Sequence, residues 1–548
     1  MRYLGSSGLM YDFIVVGAGS AGCVLADRLS ADGRHRVLVL EAGGSDRRFY
    51  VQMPLGYGKT FYDPTLNWMY QADADPGLGG RVDYWPRGKV LGGSSAINAM
   101  VYIRGHAQDF EDWKAAGNSG WGWEEVLEAY RSMEDNATGA DASRGRGGPL
   151  HISGVGPDVH PLADVFIKSA QAAGLRFNPD FNGPEQDGVG YYQLTARNGR
   201  RMSAARAFLR PAMKRANVRA ETHAHATRIL FDGTRAAGVE YIRGCETRTA
   251  HAAREVVVSA GAINSVQLLQ LSGVGPPELL RTHAIAVRCA NSNVGAHLQD
   301  HVGINYTWKM RVPTLNDELR PWSGKLRVGL RYLLARRGPL SLGINQAGGF
   351  FRSNPGHQRP NMQLYMQPFS TLLPRHGERP VLTPDPFPGL SLGLSNCRPS
   401  SRGEITIRSP DPFCDPRIVP NALSTAADVT EMLEAVKFLR AIAASQPFAG
   451  LVDEELRPGP ACRTDEELIE DIRLRAGTVY HPACTCRMGP DPIDSVVDAR
   501  MQVHGLRNLR VCDASAFPSL IAGNINAAVM MLGWRGAALI LEDAAKRN

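Results

Sequence analysis

Asp12-Phe-Ile-Val-Val-Gly17-Ala-Gly19-Ser-Ala-Gly22 begins the stretch that decides the fold, which continues to Glu41. Its first five residues are mostly apolar and β-branched, as is typical of a strand buried on both faces. Residues 23–29 predict a helix, and residues 36–40 predict a second strand that ends at Glu41. A strand, a glycine turn, a helix and a strand in this order predict the first unit of an α/β domain with a doubly wound sheet.

The three glycines of this turn predict a dinucleotide site. Gly17 allows the tight turn, Gly19 lets the backbone approach a pyrophosphate, and Gly22 lets the helix touch the strand. The helix N-terminus then faces the phosphates. Glu41, about 20 residues further on, can accept hydrogen bonds from a ribose. A G-x-G-x-x-G alone also occurs in ordinary turns, and here the flanking elements favour the nucleotide site.

The composition is that of an ordinary globular protein. The chain has 548 residues, 43% of them apolar, which is enough for several domains with large cores. A net charge of +7 is mildly basic and does not predict nucleic-acid binding. The nine cysteines are scattered, and Cys484-x-Cys486 is not a C-x-x-C pair, so we expect no metal site. Reduced thiols in a cytoplasm are the simplest interpretation.

No segment of the sequence predicts a membrane span. Residues 1–10 lack the apolar core of a signal peptide, and no stretch approaches about 18 apolar residues. Residues 325–337 predict a helix with leucines at positions 326, 330, 333 and 334 and arginines among the rest. Such a helix can lie on a membrane surface, although a core-facing leucine stripe is commoner. We expect a cytoplasmic protein whose contact with the inner membrane is at most peripheral.

Distant segments are expected to complete the nucleotide site. Residues 85–100 combine glycines and small side chains with Arg87 and Lys89, which suits a backbone folded against a flat or anionic ligand. An irregular glycine loop is the commoner structure for such a stretch. Residues 254–262 and 508–512 predict buried strands that are closed by small or acidic residues. Parallel strands of this kind place those residues at the carboxyl edge of a sheet, where doubly wound folds bind ligands.

The sequence between residues 303 and 480 has a different character. Residues 361–367 and 404–408 alternate as strands do, and residues 373–389 form a proline-rich loop. One helix is predicted to begin at Ser424, and Thr464 and Glu467 form the capping box of another. This pattern predicts a second, α+β domain, with a sheet and helices on one face.

The second of these helices leads into Tyr480-His481-Pro482. Proline restricts the preceding residue to extended conformations and so fixes where the His481 imidazole points. A general base is one interpretation of this histidine. A structural turn is the commoner one for a His-Pro pair considered alone.

Five segments together resemble the glucose-methanol-choline (GMC) oxidoreductases. They are the opening glycine turn with Glu41, and residues 87–98 (RGKVLGGSSAIN), 259–276 (SAGAINSVQLLQLSGVGP), 480–489 (YHPACTCRMG) and 513–518 (DASAFP). The resemblance covers nearly the whole chain and is nearest to the bacterial alcohol dehydrogenase and choline dehydrogenase branch. It implies FAD as the cofactor and a Rossmann-like FAD-binding domain that is discontinuous in sequence. We expect that domain at 1–155, 205–305 and 478–548, and an α+β substrate domain with an antiparallel sheet at 156–204 and 306–477.

The resemblance also implies roles for individual residues. His481 corresponds to the family's catalytic base, and its partner falls on Asn524, with Asn526 less favoured. Ile97 stands where some members carry a histidine that binds flavin covalently, so we expect non-covalent FAD. Val266, His297 and Trp534 differ from the residues that are usual in the family at these positions, and none of them takes part in the proposed chemistry. The implied cofactor-binding residues are Gly17, Gly19, Ser20, Ala21, Gly22, Glu41, Ala42, Arg87, Leu91, Gly92, Gly93, Ser94, Asn98, Ala99, Gly261, Asp513, Ala514 and Asn524.

The implied reaction is the oxidation of a primary alcohol to an aldehyde. A neutral His481 can remove the hydroxyl proton while the α-hydride passes to flavin N5, and Asn524 can stabilise the alkoxide. We expect an electron acceptor such as a quinone rather than oxygen. The alternatives are a choline dehydrogenase, an oxygen-using alcohol oxidase, a hydroxynitrile lyase and a non-redox flavin-binding protein.

The second domain bears on the choice between choline and an uncharged alcohol. A quaternary ammonium is normally bound by an aromatic cage, often with a carboxylate. Glu378 is the only acid between residues 325 and 381. Met362, Gln363, Leu364, Met366 and Gln367 suit a neutral chain or ring, so we expect medium-chain or benzylic alcohols to be preferred. The aromatic residues available for a cage are Trp322, Tyr332, Phe350, Phe351, Tyr365 and Phe369.

Overall fold

A mainly parallel sheet is built around the strand Met10–Val16 in the computed structural model, which describes residues 10–372 and 383–546. This strand pairs in parallel with Val37–Glu41 on one side and with Glu246–Val258 on the other. Its β-branched side chains are buried, as the sequence predicts. The other strands of the sheet are Val218–Thr222, Ala224–Asp232, Arg235–Arg243 and Leu509–Val511.

The predicted Rossmann-like arrangement is confirmed. Helix Ser20–Leu29 follows the first strand and packs against the long C-terminal helix Asn526–Lys546, while Gly261–Leu271 follows the strand Glu246–Val258. Leu509–Val511 pairs in parallel with Glu246–Val258, so the two strand ends lie at one edge of the sheet. The other helices of eight or more residues in the described ranges are Ala107–Ala115, Trp123–Met133, Leu162–Ala172, Trp322–Ala335, Ala426–Ala444 and Asp465–Arg475.

The second sheet is antiparallel, as predicted, and helices Leu162–Ala172 and Ala426–Ala444 pack against it. Its strand Val302–Met310 begins within the segment expected in the first domain, and the domain boundaries themselves stay a prediction. The strands, in spatial order, are Val452–Arg457, Val302–Met310, Gly389–Asn396, Met362–Gln367, Ala347–Phe351 and Gly188–Tyr191, with Gly477–Thr478 beside Val302–Met310.

Successive side chains of the strand Val302–Met310 point to opposite faces of the sheet, and the two faces have different surroundings. Tyr306 and Trp308 are buried in the hydrophobic core beneath the helices. Asn305 and Thr307 point the other way and line a cavity between the two sheets. The second sheet therefore forms one wall of a site whose other wall is the nucleotide-binding sheet.

Several local predictions can be checked directly. The capping box is confirmed, since Thr464 accepts a hydrogen bond from the Glu467 N–H and Glu467 accepts one from the Thr464 N–H. The helix predicted at Ser424 is capped instead by Thr425 and spans Ala426–Ala444. The predicted strand at 404–408 is shorter, Glu404–Thr406, and pairs only with Arg417–Val419. Residues 1–9, most of the proline-rich loop, and Glu378 lie outside the described residues.

The helix predicted at 325–337 spans Trp322–Ala335, and the core-facing interpretation of its leucines is wrong. The residues buried against the protein are Gly324, Val328 and Tyr332, whereas the leucines face solvent. Across residues 10–372 and 383–546, no helix combines the length and the apolarity needed to cross a membrane.

Candidate active site

A cavity of about 680 Å³ is lined both by the glycine turn and by the second sheet. This volume is typical of a cofactor or substrate site. Gly22, Leu91 and Gly92 lie behind the wall rather than in it. The predicted residues that line the cavity are Gly17, Gly19, Ser20, Ala21, Glu41, Ala42, Arg87, Gly93, Ser94, Asn98, Ala99, Gly261, Asp513, Ala514 and Asn524.

The glycine turn leaves backbone exposed to this cavity. Gly17 has φ +100°, and a Cβ on Gly22 would lie 1.9 Å from the Gly17 carbonyl oxygen, so helix and strand touch here. A Cβ on Gly93 would lie 2.7 Å from the Gly19 Cα atom. For a Cβ on Gly19 itself, the nearest neighbour among the described residues would be the Ser259 carbonyl oxygen, 3.8 Å away. The turn is therefore closed behind and open in front, which fits the pyrophosphate of FAD.

Leu91 and Gly92 support the turn from outside the cavity. The Gly92 N–H donates to the Ala18 carbonyl oxygen at 2.8 Å, and the Leu91 N–H donates to the Gly44 carbonyl oxygen at 3.0 Å. These bonds hold the loop of residues 85–100 against the first glycine turn, so we assign the two residues a supporting role.

Glu41 combines the expected position with a structural role. Its two carboxylate oxygens accept the Ala18 N–H at 2.9 Å and the Gly43 N–H at 2.8 Å. Burial raises the pKa of Glu41 to about 7 although these hydrogen bonds oppose the shift. Each oxygen retains a lone pair with which it can accept a ribose hydroxyl.

Asp513 joins two strand ends at the same edge of the sheet. One carboxylate oxygen accepts the Gly261 N–H at 2.8 Å and the Ser265 hydroxyl at 2.6 Å. The other accepts the N–H and the hydroxyl of Ser515. Asp513 thus fixes the position of Gly261 and of Ala514, and all three line the cavity.

His481 is held in the cavity wall through its backbone and its ring. Its N–H donates to Asp300 Oδ1 at 2.7 Å, and Asp300 Oδ2 accepts the hydroxyl of Thr478. Burial, His301 and Arg87 hold the pKa of His481 well below its ordinary value. The imidazole is therefore neutral at neutral pH, as a base must be.

His301 determines which nitrogen of His481 carries the proton. The Nε2 of His301 lies 2.9 Å from the Cys397 carbonyl oxygen, which can only accept, so Nε2 is the protonated atom. Burial lowers the pKa of His301 to about 4, and its Nδ1 therefore carries a lone pair. That Nδ1 lies 2.9 Å from Nδ1 of His481, which must donate. The Nε2 of His481 is left unprotonated.

Asn524 lies beside this unprotonated atom. Its Nδ2 lies 3.3 Å from His481 Nε2, and its Oδ1 accepts a hydrogen bond from Gln363 Nε2 at 3.1 Å. Asn526 instead accepts the hydroxyl of Ser20 at 2.7 Å, at the glycine turn. The two candidates therefore lie in different places: Asn524 lies beside the histidine, and Asn526 lies at the glycine turn.

Asp300 and His301 are site residues that sequence reasoning did not identify, and Gln363, which was expected to contact substrate, instead holds Asn524. Asp300 and His301 are adjacent in the sequence, and one holds the backbone of His481 while the other holds its ring. Burial raises the pKa of Asp300 to about 7. The signal that could have identified them is the acid–histidine pair that ends the segment Gly295-Ala-His-Leu-Gln-Asp-His301.

Arg87 contacts the segment that carries His481. Its guanidinium donates to the Tyr480 carbonyl oxygen at 2.6 Å, and burial lowers its pKa to about 10. The residue still lines the cavity. We assign it to the histidine segment.

Most side chains of the strand Met362–Gln367 that were expected to suit a neutral substrate do not line the cavity. Met362, Leu364 and Met366 face the helix-covered core and do not reach the cavity. Only Tyr365 and Gln367 of this strand line it.

Two of the six aromatic candidates, Tyr365 and Phe369, line the cavity. The exposed Trp322, and the buried Tyr332, Phe350 and Phe351, lie elsewhere. A different aromatic group stands in the wall: Phe61, Tyr62 and Tyr84 pack on one another with ring centroids 5.2 to 5.7 Å apart.

We call the lining residues from 57–87, 303–394 and 457–482 the substrate-side wall. Among its described members are four arginines and one acid, Asp83. The Asp83 carboxylate accepts the Thr478 N–H at 2.8 Å. Arg475 forms an ion pair with Asp471 at 2.6 Å, and the Asp300 carboxylate accepts the His481 N–H, so acids just outside the lining balance part of this positive charge. The four arginines are Arg81, Arg87, Arg457 and Arg475.

Comparisons with known proteins agree with this geometry. Two family models, both described as GMC oxidoreductase, match residues 11–303 and 399–533. The chain is 43% identical over 537 residues to an alcohol dehydrogenase (acceptor) of Pseudomonas putida, covering 97% of this chain and 96% of that protein. It is 42% identical over 540 residues to a mitochondrial choline dehydrogenase of Mus musculus, covering 97% and 89%.

Solved structures show the same fold. A pyridoxine 4-oxidase from Mesorbium loti superposes with a TM-score of 0.87 at 31% identity, covering 96% of this chain and 98% of that one. A formate oxidase superposes with a TM-score of 0.92 at 25% identity, covering 99% and 100%.

Proposed function

Since the chain belongs to the GMC oxidoreductase family and is an FAD-dependent enzyme acting on alcohols, we propose that it oxidises uncharged primary alcohols to aldehydes. The observation that carries this proposal is the unprotonated Nε2 of His481 beside the amide of Asn524, in the wall of the cavity. This pair can remove a proton from a hydroxyl and stabilise the oxygen left behind.

His481 acts first on the bound alcohol. Its Nε2 accepts the hydroxyl proton, and its Nδ1–H keeps the hydrogen bond to His301, so the ring does not rotate as it becomes charged. The Asn524 amide donates to the developing alkoxide, and Gln363 holds that amide in place. FAD bound against the glycine turn supplies the acceptor for the α-hydride. The product is the aldehyde.

We assign the electrons to an acceptor other than oxygen, such as a quinone. The support is the relative named alcohol dehydrogenase (acceptor). Oxygen-dependent choline dehydrogenases at about 39% identity make oxygen the competing assignment. All nine cysteines are free thiols, which fits the reducing cytoplasm that we propose as the location.

Choline oxidation is the second candidate, and one observation favours it. Phe61, Tyr62 and Tyr84 offer aromatic faces of the kind that bind a quaternary ammonium. The substrate-side wall acts against it, because Asp83, the one acid among its described lining residues, already accepts the Thr478 N–H, whereas a bound quaternary ammonium is often paired with a carboxylate. We therefore rank uncharged alcohols first.

Anaerobic mixing tests the proposal. The yellow holoenzyme is mixed with a panel of primary alcohols and with choline, and the loss of flavin absorbance is followed. Bleaching by uncharged alcohols is expected, whereas a lyase or a flavin-binding scaffold would leave the colour unchanged. The acceptor is then identified by adding either air or a soluble quinone to the bleached enzyme. We expect slow reoxidation by air and fast reoxidation by the quinone. Rapid peroxide formation in air would identify an oxidase.

A further inference from the structure

The helix Trp322–Ala335 presents an apolar face to solvent. Trp322 is 77% exposed and Leu334 is 85% exposed, and Leu326, Leu330 and Leu333 are exposed as well. Side chains of this size are normally buried, and a contiguous exposed group of them marks an interaction surface. We call these five side chains the apolar face.

Basic residues flank the apolar face on both sides. At 100° per residue the apolar face covers an arc of about 120°. Arg327 and Arg331 border one edge of this arc and Lys325 borders the other, while Arg336 follows the helix and stacks on Tyr332, 4.9 Å from the ring centroid. No residue from 322 to 337 is acidic, and with Arg337 the segment carries five cations. An exposed apolar arc between two basic borders is the pattern of a helix that lies in a lipid–water interface.

We propose that this helix docks the protein on an anionic lipid surface. Trp322 and the leucines would enter the boundary between headgroups and acyl chains, while the flanking cations would contact lipid phosphates. A second copy of the chain fits less well. In a two-fold contact the patch meets itself, so two basic segments would face each other. Arg331 has an acidic partner, Asp158, which neutralises only one of the five cations.

The opposite, buried side of this helix packs against other segments of the protein. Phe49, which is half exposed, packs its ring edge-on against Tyr332 at 6.3 Å between centroids. The adjoining short helix Leu315–Leu319 contributes Leu315 to a cluster with Ile344 and Phe369, and both of these line the cavity. The helix Trp322–Ala335 is thus connected, through Leu315–Leu319, to residues of the cavity wall.

Vesicle flotation tests the proposal on the holoenzyme. The probe is a vesicle of phosphatidylcholine with about one third phosphatidylglycerol, and the comparison is pure phosphatidylcholine. We expect flotation with the anionic vesicles at low salt, and at least about tenfold less partitioning at high salt because the flanking charges are screened. Equal flotation with both vesicles, or none with the anionic one, would overturn the proposal.

Matched variants locate the contact. Leu334→Gln combined with Leu330→Gln should lower the partition coefficient at least about tenfold, since each leucine no longer gains from burial. Ile493→Gln is the control, because Ile493 is also 85% exposed but lies far from the helix in sequence. Both variants should retain the flavin reduction rate with a soluble alcohol, which shows that they are folded. Equal flotation of the two variants would overturn the proposal.

Two further readouts distinguish other occupants of the face. Trp322 is the one strongly exposed tryptophan of the described residues, so brominated acyl chains should quench emission from the parent and not from Trp322→Phe. Sedimentation without vesicles reports self-association. If the apolar face instead mediates a dimer that Leu334→Gln dissociates, and quenching is absent, the occupant is a second copy and the lipid proposal fails.

Discussion

The Nδ1 atoms of His301 and His481 lie 2.9 Å apart, so one of the two must carry the proton. The Cys397 carbonyl oxygen accepts from Nε2 of His301, which assigns that proton to His481. A main-chain carbonyl thus selects the tautomer of the proposed base through an intervening histidine. His301 does not line the cavity, and we regard it as a positioning residue.

His301→Gln should retain most of the activity, and His301→Ala should lose most of it. A glutamine can accept from His481 Nδ1 and donate to the Cys397 carbonyl oxygen, whereas an alanine leaves both tautomers of His481 open. We expect flavin reduction in the alanine variant to fall at least about tenfold, with FAD content unchanged. The acid limb of its pH profile should move to higher pH as water reaches His481. If the two variants react equally, His301 does not set the tautomer.

His481→Ala should leave FAD bound and slow alcohol-driven flavin reduction by about 10² or more, the scale of a lost general base. Stopped-flow absorbance under anaerobic conditions measures the rate. An unchanged rate would show that the histidine is only part of a turn.

Asn524→Ala and Asn526→Ala form a matched pair. The first removes the amide beside His481 and should slow reduction at saturating alcohol. The second removes the partner of Ser20 and should weaken FAD retention while sparing the rate of the FAD-loaded enzyme. Rapid-mixing rates and flavin content after gel filtration separate the two effects, and the reverse result would exchange the two assignments.

The pH dependence of kcat/KM should have its acid limb below pH 6.5. Protonation of His481 removes the base, and its lowered pKa keeps it unprotonated further into acid than an ordinary histidine. Asp300 is the neighbouring group that titrates near 7. Asp300→Asn is the control, because an amide can still accept the His481 N–H. If the kcat/KM profile of Asp300→Asn still has its acid limb near pH 6.5, the pKa of His481 is not lowered.

Sequence reasoning predicted those features that local pattern determines. The β-branched run before Gly17 and the capping box at Thr464 each depend on neighbouring residues, and both formed as expected. The partner of His481 could not be found in this way, because His301 is 180 positions away and only tertiary packing brings the rings together. Periodicity shows which residues share a face and not what that face meets. Met362 therefore turned out to lie in the core, and Leu334 in solvent.

Denaturation by acid or heat should release all the FAD into the supernatant. Ile97 lines the cavity where a linking histidine would be needed, and its side chain has no nucleophilic atom. Absorbance of the supernatant and of the precipitated protein measures the partition. Yellow colour that stays with the precipitate would show a covalent bond formed by another residue.

Choline should be a poorer substrate than medium-chain or benzylic primary alcohols, judged by kcat/KM for anaerobic flavin reduction. The sharpest comparison uses the uncharged isostere of choline in which carbon replaces nitrogen, because the two differ in charge and hardly in shape. The one acid among the described residues of the substrate-side wall, Asp83, already accepts the Thr478 N–H, which should favour the isostere, while the rings around Phe61 offer choline cation–π contacts of up to about 2 kcal/mol each. Phe61→Leu keeps the wall apolar and removes one ring, so it should change kcat/KM little for either choline or the isostere if the rings form no cage. A preference for choline that Phe61→Leu abolishes would show that the rings form an aromatic cage, and would make this chain a choline dehydrogenase.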